Sequence, residues 1–152
     1  MRIILDAMGG DNAPDANIKG AVNAINKVKA EVVLVGKEDV IRSKVKEFYG
    51  KELEEISDRL KIKNATETIE MCDVPTMAIK HKKDSSMVVG FKMLKEEEGD
   101  VFISAGNSGA LLTGATLLVG RIKGIDRPAL AGILPAYHSQ LLLIDSGSNT
   151  NC

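Results

Sequence analysis

The chain has 152 residues, with 20 Lys and Arg against 21 Asp and Glu and a formal net charge of −1. Its 44% hydrophobic and 27% charged residues are typical of a globular protein and argue against a disordered one. The near-neutral charge and 3% aromatic content argue against nucleic-acid binding. Two cysteines make no disulfide framework, and no apolar run reaches the roughly 18–20 residues of a spanning helix. We therefore expect a protein of the cytoplasm.

The first strand and helix are predicted at the start of the chain. Residues 3–5 form a short apolar run typical of a buried parallel strand, and a glycine-rich turn follows at residues 6–11. The next helix has Asp11 or Asn12 as its predicted cap and Pro14 in its first turn. Its apolar face recurs at helical spacing and consists of Ile18, Ala21, Val22, Ile25 and Val28.

The same alternation continues through the middle of the chain. Residues 32–35 predict a second buried strand, and residues 60–63 alternate in polarity as an edge strand does. Between them lie a charged segment at residues 51–60, predicted to face the surface, and a helix ending near Gly50. The inward residues of that helix are Ile41, Val45 and Phe48. Residues 67–75 predict a loop.

Two further helices are predicted before the next strand. Residues 77–80 indicate a short helix. Ser85 and Ser86 are candidate N-caps of a longer one that ends at Gly99. Its inward residues are Met87, Val88, Phe91 and Leu94.

The last part of the chain predicts three more strands. Residues 101–103 form one, and the loop at residues 104–109 then opens a helix. Residues 130–134 and 141–144 read as the final two strands. Strands alternating with helices predict an α/β fold, with a mostly parallel sheet covered on both faces.

Three loops that follow predicted strands are candidates for ligand binding, because ligands of open α/β sheets bind at the carboxyl ends of the strands. They are residues 6–11, 104–109 and 145–149. Glycine lets a ligand approach the backbone, and the N–H groups that open a helix attract anions. Residues 104–109 are the strongest candidate, with a capped tight turn as the structural alternative. The aspartates of residues 6–11 would repel an anion, so they could instead orient a donor or a backbone turn.

Several common sites are absent from the sequence. It contains neither a P-loop nor the GxGxxG spacing of a dinucleotide fingerprint. His81 and His138 are isolated, which argues against a metal site.

The basic run at residues 80–83 is typical of a solvated face. Arg121 and Arg127 are spaced by apolar residues instead, and the arginine fork suits phosphate or carboxylate.

Four segments occur together in a specific order: residues 6–11, 82–87, 104–111 and 120–130. Their combination resembles the bacterial phosphate acyltransferases of the PlsX type, enzymes of phospholipid synthesis. The resemblance runs along the whole chain, and the start of a further family segment is matched by Asp145, Gly147 and Asn149. Because the family's chain continues beyond this point, we expect residues 1–152 to be the N-terminal part of a single larger α/β acyltransferase domain.

The resemblance implies a reaction of fatty acyl-[acyl carrier protein] with inorganic phosphate, giving acyl phosphate and free acyl carrier protein. It also implies a three-layer α/β/α fold similar to phosphotransacetylases and isocitrate/isopropylmalate dehydrogenases. Family members are homodimers, associate peripherally with the membrane, and supply a membrane glycerol-3-phosphate acyltransferase. No cofactor and no metal are expected.

The site residues expected from these motifs fall into two groups. The candidate catalytic residues are Asn107, Ser108, Arg121 and Arg127. The candidate phosphate- and substrate-binding residues are Asp6, Gly9, Gly10, Asp11, Lys82, Ser85, Ser86, Gly106, Gly109, Asp145 and Asn149. Two other functions remain open: an anion-binding or dimerisation fragment without activity, and a dehydrogenase of related fold.

Overall fold

The central feature of the fold is a four-stranded parallel sheet. A computed structural model describes residues 1–125 and 128–144 of the chain. The sheet has the order β3-β2-β1-β4, and its strands are β1 Arg2–Asp6, β2 Glu31–Gly36, β3 Leu60–Asn64 and β4 Val101–Ile103. Every pairing is parallel, so all four carboxyl ends meet at one edge. The loops that follow the strands are therefore neighbours in space.

The position of each strand follows from its side chains. The central strands are apolar because both of their faces are buried, as Ile4 and the run through β2 show. On the edge strand β3, Leu60 is buried while Lys61 is exposed. The predicted edge strand is confirmed. The opposite edge is the three-residue strand β4.

Helices cover both faces of the sheet. They are α1 Asp15–Ile25, α2 Glu38–Tyr49, α3 Leu53–Ile56, α4 Pro75–His81, α5 Ser86–Lys95 and α6 Ser108–Gly114, with a π-helical turn at Ala115–Val119. On one face, Leu34 packs in a core with residues of α1 and α2, namely Ile18, Ile25, Ile41 and Val45. On the other face, Val89 of α5 shares a core with Val33 and Val35. This arrangement confirms the predicted α/β class.

Helix α1 differs from its prediction at both ends. Pro14 occupies the N-cap and no side chain caps the helix, so the predicted capping by Asp11 or Asn12 is wrong. The backbone carbonyl of Asn12 instead accepts the N–H of Ala16 at 2.9 Å. The N–H of Ala16 is therefore satisfied by the backbone and needs no side-chain cap.

At its other end, α1 stops at Ile25, and Val28 lies outside it with 40% of its surface exposed. The Arg59 guanidinium donates hydrogen bonds to the carbonyls of Ile25 (2.6 Å) and Val28 (2.9 Å). Because those carbonyls find a side-chain partner, the helix need not continue. The prediction that Val28 lies on the buried helical face is therefore wrong.

Two other predictions need correction. Residues 51–60 are not purely a surface segment, because Leu53 of α3 is only 2% exposed. Helix α5 ends at Lys95, before Gly99, and Glu97 adopts a positive φ of 58°. In contrast, α2 ends as predicted, with Gly50 as its left-handed C-cap at φ 63°.

The chain divides into two compact units, Met1–Val119 and Gly120–Cys152. In the second unit, the two predicted final strands are present as β5 Ala131–Pro135 and β6 Gln140–Ile144. They pair with each other in antiparallel orientation and form a separate sheet. Their connection at residues 136–139 fits a hairpin, since a parallel crossover needs about a dozen residues or more.

Candidate functional site

The two glycine-rich loops of the first unit meet at the carboxyl edge of the sheet. The Ser104 hydroxyl, after β4, donates to Oδ2 of Asp6, at the end of β1, across 2.8 Å. The N–H of Met8 donates to the other carboxylate oxygen of Asp6 at 3.1 Å, and the N–H of Gly106 donates to Ser104 Oγ at 3.1 Å. Asp6 is 2% exposed. Asp6 therefore joins the two loops from beneath and does not face solvent.

Gly9 lies where the two loops approach each other most closely. A Cβ atom at this position would lie 2.5 Å from Asp6 Oδ2, 2.9 Å from Ser104 Oγ and 3.0 Å from the Gly106 nitrogen. Any larger residue would therefore push the loops apart. The structure brings together these two predicted loops, which are far apart in the sequence.

Asn17 of α1 holds the first loop in its conformation. Its side-chain amide donates to the carbonyls of Asp6 (3.2 Å), Ala7 (3.1 Å) and Gly9 (2.9 Å). Sequence reasoning missed this residue. The available signal was a polar residue beside Ile18, in the first turn of the helix that follows the loop. In the structure, this position is half-buried.

Asn107 uses its whole side chain within the protein. Its Oδ1 accepts the N–H of Ala110 at 3.0 Å and caps α6. Its Nδ2 donates to the carbonyls of Glu70 (3.3 Å), Met71 (3.3 Å) and Asp73 (3.1 Å). The residue is 7% exposed. The predicted contact of this amide with phosphate would have to compete with three carbonyl acceptors.

The neighbours of Asn107 are more open. Ser108 is exposed and Gly109 is half-buried. A Cβ at Gly109 would lie 2.7 Å from Pro75 Cγ. Among the described residues, no acceptor meets the N–H of Ser108 or of Gly109. These two backbone donors remain open at the carboxyl edge.

Lys82 is tied to the segment at residues 68–73, which we call the wall segment. Its ammonium donates to Asp73 Oδ2 at 2.5 Å and to the Thr68 carbonyl at 2.9 Å. The hydrogen bond from Lys82, followed by that from the Glu70 N–H, lowers the pKa of the Asp73 carboxyl. Sequence reasoning named Lys82 but missed Asp73, because nothing local indicates that the two side chains meet.

Ser85 and Ser86 are buried at the start of α5. The Ser85 hydroxyl donates to the Lys82 carbonyl at 2.8 Å and accepts the N–H of Val88 at 3.4 Å, which confirms the predicted N-cap. The N–H of Ser86 donates to the Glu67 carbonyl at 3.2 Å. Both serines are therefore buried and bonded within the protein.

Asp84 fixes the start of the loop that leads into the wall segment. Its Oδ2 accepts the Thr66 hydroxyl at 2.6 Å and the Thr66 N–H at 2.9 Å. The hydroxyl bond is the largest cause of the lowered pKa of Asp84. Sequence reasoning missed this pair also.

A cavity of about 580 Å³ lies at this edge, and the wall segment lines one side of it. Residues that line it include Gly10, Asp11, Lys37, Thr68, Glu70 and Met71. A larger cavity of about 710 Å³ lies at the amino ends of the strands, between Arg2 and Arg59. Both arginines are already bonded there, Arg2 to Glu31 and Arg59 to backbone carbonyls. The carboxyl-edge cavity is therefore the better candidate for a ligand.

The remaining predicted site residues do not belong to the first unit. Arg121 belongs to the second unit. Arg127, Asp145 and Asn149 lie outside the described residues. Within residues 1–125 and 128–144, no group of three or more His, Cys, Asp or Glu could hold a metal ion. In the same part of the chain, no helix is long and apolar enough to cross a bilayer.

A parallel sheet covered by helices on both faces defines an α/β protein, and the carboxyl edge, where the two glycine-rich loops join, is its candidate ligand site. The family described as fatty acid synthesis protein matches residues 1–152. The chain therefore belongs to this family.

Three relatives, each named phosphate acyltransferase, show how far the similarity extends. Over the whole chain, the identity is 52% to the protein of Thermoanaerobacter pseudethanolicus, 52% to that of Acetivibrio thermocellus and 47% to that of Clostridioides difficile. The chain spans 43% of the length of the first relative and 44% of the other two. Less than half of each relative is thus represented here.

Proposed function

We propose that the chain forms the N-terminal part of a phosphate acyltransferase domain that converts fatty acyl-[acyl carrier protein] and inorganic phosphate into acyl phosphate and acyl carrier protein. One structural observation carries the proposal: the hydrogen bond from Ser104 to Asp6 joins two of the four family segments at the ligand-binding edge. The name shared by the relatives supports the same activity.

The chemistry of this transfer suits the site. A phosphate oxygen attacks the thioester carbonyl, a C–O bond forms, and the C–S bond breaks. The sulfur leaves with the bonding electrons and takes up a proton as the free thiol of the carrier. Phosphate is a competent nucleophile near neutral pH and the thioester is already activated. The protein mainly needs to place two anions and stabilise the developing oxyanion.

Backbone and side chains would divide this work. The open N–H groups of Ser108 and Gly109 are suited to a phosphate or carbonyl oxygen, while Gly9 and Gly10 let the ligand approach the backbone. Positive charge would come from Arg121 and Arg127, which belong to the same sequence motif. Further ligand contacts are assigned to Asp11, Asp145 and Asn149.

The test is the phosphate-dependent release of acyl carrier protein by the full-length protein, of which residues 1–152 form the N-terminal part (the full chain). We expect Arg121→Met to raise the phosphate KM or lower kcat by about tenfold or more, because a charge-assisted bond to an anion is lost. Lys123→Met, two residues away, is the matched control and should change neither. Release of acyl carrier protein without phosphate would refute the proposed function. A covalently acylated residue trapped during turnover would refute direct attack by phosphate.

The product's chemistry supports a further part of the proposal, an association with the membrane. Acyl phosphate joins a long apolar chain to an anionic head, so it partitions to membrane surfaces. We therefore propose that the protein associates peripherally with the membrane and supplies a glycerol-3-phosphate acyltransferase there. From the family resemblance, we also propose that it is a cytoplasmic homodimer. Co-sedimentation of the full chain with anionic lipid vesicles, and its mass in solution, test the association and the dimer separately.

A further inference from the structure

The wall segment, residues 68–73, is anchored near its start by Ile69, which is 5% exposed and packs in a core with residues of α4 and α5. Residues 70–72 are exposed and have few contacts of their own to hold them at the cavity. The wall segment contains no helix or strand, and Met71 is 56% exposed. Two of its residues bond to each other, since the Glu70 N–H donates to Asp73 Oδ2 at 2.8 Å and the Asp73 N–H to the Glu70 carbonyl at 3.2 Å. A segment of this kind opens easily unless the rest of the fold ties it down.

Two side chains from different loops provide that tie. Asn107 reaches the wall segment from the start of α6 and donates to three of its carbonyls, as described above. Lys82 reaches it from the end of α4 and binds the Thr68 carbonyl and the Asp73 carboxylate. The two contacts therefore hold both ends of the same six-residue segment.

We propose that Asn107 and Lys82 are positioning residues, which clamp the wall segment at the carboxyl-edge cavity and do not themselves contact the bound anion. The nature of that anion rests on the proposed function, whereas the clamp rests on the hydrogen bonds alone. Asn107 has no further donor to offer a ligand, because its amide is shared among three carbonyls. The Asp73 carboxylate beside the Lys82 ammonium offsets its positive charge, which weakens the attraction of this lysine for a second anion.

Hydrogen exchange of the full chain, without substrate, tests the clamp independently of activity. Asn107→Asp keeps the oxygen that caps α6 but replaces the amide donor with an oxygen that faces three carbonyls. The amides of Glu70 and Asp73, which are hydrogen-bonded within the wall segment, should then exchange about tenfold faster or more, because the segment opens more often once its carbonyls lose the Asn107 donor. Asn23→Asp, on an exposed position of α1, adds the same charge and should leave them unchanged.

Lys82→Met provides a second variant, because it keeps the aliphatic stem and removes the ammonium from a half-buried position. It should also speed exchange of the Glu70 and Asp73 amides, while Lys80→Met, exposed in the last turn of α4, should not. The two effects should be non-additive in the double variant, since both release one segment. Unchanged exchange in either single variant, or additive effects in the double one, would overturn the clamp.

Kinetics of the full chain distinguish positioning from direct binding. If Lys82 positions the wall segment through Asp73, then Lys82→Met and Asp73→Asn should both raise the phosphate KM, by a similar factor of about tenfold. Lys82→Arg, which can still bind Asp73, should restore most of the affinity. If Asp73→Asn instead lowers the phosphate KM, the freed ammonium binds phosphate directly and the inference is wrong. A chain without any phosphate-dependent activity would refute the proposed function, while hydrogen exchange would still decide the clamp.

Discussion

The Ser104 hydroxyl donates a 2.8 Å hydrogen bond to the buried Asp6 carboxylate, although 98 positions separate the two residues in the sequence. The bond crosses from the end of one parallel strand to the end of its neighbour, because β1 and β4 pair directly. It sets the distance between the two loops at the candidate site.

Removing this donor should destabilise the protein. Ser104→Ala leaves Asp6 Oδ2 buried without its hydroxyl partner, which costs about 1–3 kcal/mol. Urea unfolding should show this loss in the free energy of unfolding. Ser43→Ala, exposed on α2, removes a hydroxyl of the same kind and serves as the control. Equal stability of the two variants would show that the Ser104 bond does not hold the loops.

A methyl group at Gly9 should be poorly tolerated. Gly9→Ala places a Cβ 2.5 Å from Asp6 Oδ2, and relief of such a clash costs about 1–3 kcal/mol. We expect a lower melting temperature and, in the full chain, weaker phosphate binding by calorimetry.

Gly20→Ala is the matched control for Gly9→Ala. A Cβ at Gly20 meets no atom within 4 Å, and the residue lies inside α1. Alanine there should raise stability by up to about 1 kcal/mol, because glycine is unfavourable in a helix. A Gly9→Ala variant as stable as Gly20→Ala would contradict the close approach of the loops.

Loss of the Asn17 amide should loosen the first loop. Asn17→Ala removes the donor to three carbonyls, of Asp6, Ala7 and Gly9, which should cost about 1–3 kcal/mol. Hydrogen exchange at residues 6–11 measures the loosening directly. Asn23→Ala, on an exposed turn of the same helix, should leave that exchange unaltered, and an identical response of both variants would refute the assignment.

The Asp73–Lys82 contact predicts a pH dependence of stability. The pKa of Asp73 is lowered in the folded chain, so the folded state binds a proton less readily than the unfolded one. The contact therefore stabilises fully above the unfolded pKa of about 3.9, and its contribution disappears as the pH falls through the lower folded value.

This dependence is measured as the difference in unfolding free energy between the wild type and Asp73→Asn. The difference should be constant from about pH 7 to 5 and should shrink below about pH 4. Asp58→Asn, at a surface turn, controls for the general effect of removing a carboxylate. A difference that stays constant down to pH 3 would show that the Lys82 contact does not stabilise the fold.

Much of the fold could be predicted from local sequence. The apolar runs at residues 3–5 and 32–35 and the helical spacing of residues 41–48 predicted their elements. The end of α1 could not be predicted, because the guanidinium of Arg59 that bonds its last carbonyl lies 34 positions away. The hairpin of the second unit was predicted as two strands, but their orientation depended on the short turn.

The sequence by itself determined the α/β class and which loops follow the strands, because side-chain polarity and backbone preference act over neighbouring residues. Only the tertiary structure decided what the polar side chains of those loops contact. Asn107 and Lys82 carry the donors expected of ligand-binding residues, yet folding brings the carbonyls and carboxylate of residues 68–73 within hydrogen-bond distance of them. A side chain's chemistry is local, but its partners depend on which distant atoms the packed fold places beside it.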